Sequence, residues 1–153
     1  MGLMQSELHD AAYALLYRVM QQEHNCTMEM LDLQVTKEGK PYFKDSLWQF
    51  SICHTDGLVL VAVSDFSVGI DAEKSDRRIS NRVANRFLKL PACTVKEWTQ
   101  YESLGKMIGC GIPFTKEDLG STRYFSKFYS DLIGYTVCVT CVEASFSESI
   151  KMF

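Results

Sequence analysis

Apolar residues along this chain change period several times, and each change marks a predicted element. Leu8, Ala12, Leu15, Leu16, Val19 and Met20 recur at helical spacing and predict a helix over about Ser6 to Gln22. Met28, Met30, Leu31, Leu33 and Val35 predict a strand between Asn25 and Val35. Lys37-Glu38-Gly39-Lys40-Pro41 is turn chemistry. A strand follows from Trp48 to Ile52, with Trp48, Phe50 and Ile52 on one side. It leads through Cys53-His54-Thr55 to a tight Asp56-Gly57 turn. Leu58 to Val63 is an apolar strand, and Val68 to Glu73 alternates strictly, with Val68, Ile70 and Ala72 set against Gly69, Asp71 and Glu73. The order predicts three consecutive short antiparallel strands.

Helical spacing returns after Lys74. Ser75-Asp76 can cap a helix that carries Ile79, Val83, Phe87 and Leu90 and stops at Pro91. Thr94 and Glu97 have the spacing of a capping box and open a second helix, which ends near Ile108 ahead of Gly109 and Gly111. Trp98, Glu102 and Lys106 lie four apart and share one stripe of it, with Gly105 leaving room beside them. Ile112 to Gly120 reads as a loop with a turn at Thr115. Tyr124 to Leu132 and Tyr135 to Val142 read as a hairpin closing at Gly134. Residues 145 to 153 give no clear signal.

A chain of 153 residues is expected to form one domain over 1–153. Its 46% apolar and 23% charged residues suffice for a real core. A net charge of −3 provides no basic field for nucleic acid, so an anionic ligand must be held by a few local cations or a metal. No apolar run approaches the ~18 residues of a membrane span, and Met1 to Asp10 lacks a basic segment followed by an apolar one. A cytoplasmic protein is expected, with its six cysteines reduced. Cys138 and Cys141 have CxxC spacing inside a β-branched run, without a second pair or a nearby histidine. They read as buried or half-buried strand thiols rather than a zinc site.

Candidate chemistry starts at Asp71 and Glu73. Their stems leave the same side of a strand ~7 Å apart. No basic residue stands within the stretch, so the pair repels unless a cation or a proton joins it. Oxygen ligands of this type suit Mg²⁺. By themselves they fit the ordinary acids of a solvated edge strand better, and Glu102 and Lys106 by themselves better fit a surface ion pair.

Taken in order, Gly39-Lys40-Pro41, the strand end at His54, Gly69-Ile70-Asp71-Ala72-Glu73, Arg86-Phe87, the helix from Trp98 through Glu102 to Lys106, and Gly109-Cys110-Gly111 form a collinear set. The set resembles the 4′-phosphopantetheinyl transferases of the type that activates peptide and polyketide synthetases. These have a GKP turn, a histidine at a strand end, a GIDIE strand, an RFF helix end and a WxxKExxxK helix followed by a glycine-rich turn. Gly134 to Cys138 is similar to the family's last strand. The likeness runs from about residue 39 to about residue 141.

The resemblance implies an α+β fold, in which short antiparallel strands pack against two or three helices. It also implies transfer of the phosphopantetheine arm of coenzyme A to a serine of an apo acyl or peptidyl carrier protein, releasing 3′,5′-ADP. Asp71, Glu73 and Glu102 would ligate Mg²⁺. Glu102, directly or through water, would take the serine proton, and Lys106 would offer a cation to the pyrophosphate. Lys40 and His54 would contact coenzyme A. Two departures stand out: Tyr101 replaces the family's lysine, and the stretch before Gly39 is short. The family's early basic residues for the 3′-phosphate are not evident, which leaves His9 and Arg18 as substitutes. Self-association could compensate for the short first half. Two rivals follow: a non-catalytic coenzyme A or nucleotide-binding homologue, and an unrelated Mg²⁺-dependent phosphohydrolase.

Overall fold

A computed structural model describes residues 2–153, leaving Met1 outside. It is α+β, with small antiparallel sheets and a few helices. Helix α1 spans Gly2–His24, and Ala12, Leu16 and Met20, four apart, are fully buried. The segment predicted as one strand is divided. Met28–Met30 is a 3₁₀ turn, and only Asp32–Val35 (β1) is extended, paired with β2 (Pro41–Lys44) across the Lys37 turn. Met28 and Met30 are exposed, so nothing holds that part of the apolar run in a sheet.

Strands β3 (Gln49–Thr55) and β4 (Leu58–Ser64) form the hairpin expected at Asp56-Gly57. Strand β5 (Val68–Lys74) does not continue it. It pairs with β7 (Tyr135–Cys141), which pairs with β6 (Phe125–Tyr129), giving the order β5-β7-β6. The expectation of three consecutive paired strands is therefore corrected: a last strand from the far end of the chain takes the place of a sequential neighbour. The outer edge of β5 is covered by β3, where Ser51 Oγ accepts the Ile70 amide at 3.0 Å. A side chain thus satisfies an edge donor that a neighbouring strand would otherwise take.

Two further boundaries differ from expectation. Ser80, not Ser75 or Asp76, caps the helix that follows, its hydroxyl accepting the Val83 amide. That helix is short: α2 (Asn81–Val83) passes into a π-helical turn (Ala84–Leu88) and ends at Lys89 in the left-handed region. Helix α3 (Val95–Ile108) has the expected capping box of Thr94 and Glu97 and ends at Gly109, φ 93°. The loop after it contains a one-turn helix α4 (Lys116–Leu119), capped reciprocally by Thr115 and Asp118. Gly134 closes the β6–β7 hairpin at φ 84°.

Two apolar clusters flank β3. Phe50 joins Leu16, Met20 and Phe43 beneath α1, while Cys53 joins Leu60, Ile70, Ala72, Tyr129 and Val137 between the sheets. Cys138 and Cys141 are buried free thiols, as read from their surroundings. Among the described residues no helix is long and apolar enough to cross a membrane.

Candidate functional site

Helix α3 lies directly on β5, and Gly69 makes that possible. A Cβ on Gly69 would fall 2.0 Å from the Ser103 carbonyl oxygen and 2.5 Å from the Met107 nitrogen. The helix backbone occupies the space a side chain would need. Below it, Ser103 Oγ and Thr140 Oγ1 hydrogen-bond at 2.6 Å and tie α3 to β7. The acids of β5 consequently sit beneath the flank of α3 that carries Glu102 and Lys106.

Strand β5 is not a solvated edge. Asp71 is 5% exposed, and Val68 through Ala72 are buried on both faces. Lys106 Nζ donates to Asp71 Oδ1 at 3.3 Å and to the Ile52 carbonyl at 3.3 Å. The ion pair foreseen between Glu102 and Lys106 is thus drawn instead to the strand. Asp71 Oδ2 is buried without a partner. Burial raises the Asp71 carboxyl; the Lys106 charge opposes this, the Glu102 and Glu73 charges add to it, and the result is about 7. Burial also raises Glu102; Lys106 pulls it down, Glu73 pushes it up and Arg77 pulls it down. These mutual effects place the three carboxylates in one electrostatic neighbourhood.

Three further residues contribute that no motif in the sequence marks. Arg77 Nη1 pairs with Glu73 Oε1 at 2.5 Å, four residues along the chain. Ser51 supports β5, and the Cys53 thiol is pushed up to about 11, first by burial, with the Asp71 and Glu73 charges adding to it. Opposite charge at a spacing of four was the available signal for Arg77, but it falls outside any regular helix.

Lys40 has a different place from the one expected. Its Nζ donates to the Lys106 carbonyl at 2.8 Å and so caps the C-terminal end of α3, where a cation also meets the helix dipole. Burial lowers its pKa. Lys40 and Lys106 line one cavity of about 250 Å³, closed by Phe50, Ile52 and the glycines at the end of α3. His54 is exposed near the end of β3, where strand alternation puts it on the same side as Phe50 and Ile52. Tyr101 stacks on Phe114 at 4.7 Å between ring centroids, and its hydroxyl is buried without a partner.

Chemically the site offers hard oxygen donors with two cations already engaged. Among the described residues, no three His, Cys, Asp or Glu side chains are gathered tightly enough to hold one ion; Arg77 and Lys106 occupy Glu73 and Asp71 instead. The carboxylate oxygens, with Asp71 Oδ2 left without a partner, are of the hard type that a divalent cation such as Mg²⁺ takes. No family model matches the chain, and no curated protein matches it in sequence.

Proposed function

We propose that the chain is a 4′-phosphopantetheinyl transferase, with the fold of that family, acting on coenzyme A and an apo acyl or peptidyl carrier protein. The observation that carries the reading is the seating of α3 on Gly69, which sets Glu102 and Lys106 beside Asp71 and Glu73. The collinear motifs supply the reaction; this contact lays the helix of Glu102 and Lys106 against the strand of Asp71 and Glu73.

In the proposed reaction the carrier serine oxygen attacks the β-phosphorus of coenzyme A. The bond from that phosphorus to the bridging oxygen breaks, and 3′,5′-ADP leaves with the electron pair. Glu102 takes the serine proton, directly or through water, a role suited to a half-buried carboxylate with a raised pKa. Lys106 swings between Asp71 and the pyrophosphate as a charge-assisted donor. Asp71, Glu73 and Glu102 would hold Mg²⁺, which when bound supplies charge neutralisation at the diphosphate. Phosphate oxygens entering beside Glu73 would compete with it for Arg77.

The test is incubation with coenzyme A, Mg²⁺ and an apo-carrier, read by mass spectrometry. A carrier mass gain of one phosphopantetheine supports the proposal. Asp71→Ala is expected to abolish that gain while keeping the native circular dichroism spectrum, and unchanged turnover in this variant would remove the metal mechanism. A non-catalytic coenzyme A-binding role is the second reading. It is favoured by Lys40 serving as a helix cap and by Tyr101 replacing a cation, and binding without transfer would select it. Coenzyme A cleavage without transfer would select a phosphohydrolase.

A further inference from the structure

A larger cavity, of about 800 Å³, lies on the other side of β5 from the acids. Val68 and Ile70 reach it, whereas Gly69 and Asp71 face α3. Its walls are mainly apolar and include Leu15 and Val19 of α1, Leu60 of β4, Val139 of β7, and Phe146 and Ile150 of the C-terminal segment. That segment is tied down as a wall. Tyr129 donates its hydroxyl hydrogen to the Ser147 carbonyl at 2.7 Å, Asp131 accepts the Ile150 amide at 3.0 Å, and Lys151 pairs with Glu23 of α1. The volume falls within the range of about 300–1,000 Å³ usual for small-molecule sites, which are mainly apolar with a few polar groups to fix orientation.

The polar groups here are unevenly matched. Glu23 and Lys151 neutralise each other across the rim. Arg18, exposed on α1 at the same cavity, makes no ion pair among the described residues. It also lies on the wrong side of β5 to serve a phosphate at the acids. An apolar chamber with one uncompensated cation at its edge complements a ligand with one aliphatic chain and one anionic head.

We propose that this cavity binds a fatty acid, its chain among the apolar walls and its carboxylate against Arg18. A second copy of the protein or a partner helix fits less well, because the C-terminal segment is already held along that side by its own hydrogen bonds.

The test titrates the full chain with cis-parinaric acid, which fluoresces in apolar surroundings, and displaces it with fatty acids of increasing length. Binding should saturate at one site and tighten about fourfold per added methylene until the chamber is full. Arg18→Ala should weaken dodecanoate about tenfold and leave dodecanol unchanged. Ala14→Trp, from an exposed position on the cavity wall, should block binding by filling the space; Ala62→Phe is the second filling variant. Unsaturable uptake, or affinity unchanged in a filling variant with a native circular dichroism spectrum, overturns the proposal. Self-association that either filling variant abolishes would assign the cavity to a second copy and also overturn it. Dodecyl phosphate binding more tightly than dodecanoate would replace the carboxylate with a phosphate head.

Discussion

Asp71 concentrates the tension of the site in one residue. It is held among apolar neighbours on β5, beside two other carboxylates, with Lys106 on one oxygen and nothing on the other. Burial keeps its folded-state pKa near 7 against an ordinary 3.8. The folded chain therefore holds a proton that the unfolded chain releases between those values. Stability from this group is full below about pH 3.8 and is lost as pH rises through about 7. Asp71→Asn, uncharged and of similar shape, should flatten that decline and stabilise the protein at neutral pH by on the order of a few kcal/mol. Urea unfolding at acid and neutral pH checks this; a variant with the parent's pH slope would refute burial as the cause. The same proton must leave before Asp71 can ligate a cation, so Mg²⁺ affinity, measured calorimetrically, should increase as pH passes through about 7.

Between elements, the decisive contact is backbone against backbone. Gly69 was read from sequence as one polar-side position of an alternating strand, and its small size carried no evident purpose. Its purpose is the carbonyl of Ser103, which leaves no space for a methyl group. Gly69→Ala must push α3 off β5 or twist the strand, and overpacking of this kind costs about 1–3 kcal/mol. We expect that loss in thermal or urea unfolding. We also expect a larger drop in the proposed transferase activity than stability alone explains, because Glu102 and Lys106 would move relative to Asp71. An alanine variant with parental stability would show that the helix is free to move aside. The Thr94–Glu97 capping box and the Gly109 ending were legible because they are local: their hydrogen-bond partners lie within a few residues. The Ser75–Asp76 cap was misread because Ser80, five residues on, offers the same chemistry nearer the turn that forms.

At the scale of the whole molecule, β3 belongs to both apolar clusters, Phe50 to one and Cys53 to the other. Neither cluster can dissolve without disturbing the strand they share. Unfolding is thus expected to be a single transition. The two tryptophans report on separate ends: Trp48 packs at the α1 cluster, stacked near His24, and Trp98 is buried on α3 against Phe87 and Tyr101. Trp48→Phe and Trp98→Phe each leave one reporter, and their urea curves should coincide once corrected for any shift in midpoint. Separate transitions in the parent, one per reporter, would mean that the α1 half and the α3 half unfold independently.

The sequence by itself determined what depends on neighbours along the chain. The α1 stripe, the β3–β4 and β6–β7 turns, the α3 caps and the alternation of β5 were all readable, because period and turn chemistry act over a few residues. It also contained the acids and lysine of the candidate site. Only the tertiary structure decided that β5 pairs with β7 and that Lys106 turns to Asp71 rather than to Glu102. It also decided that Lys40 caps a helix. Those outcomes rest on contacts between residues tens of positions apart, where packing space and the cost of burying charge select the partner, and neither is written in local spacing.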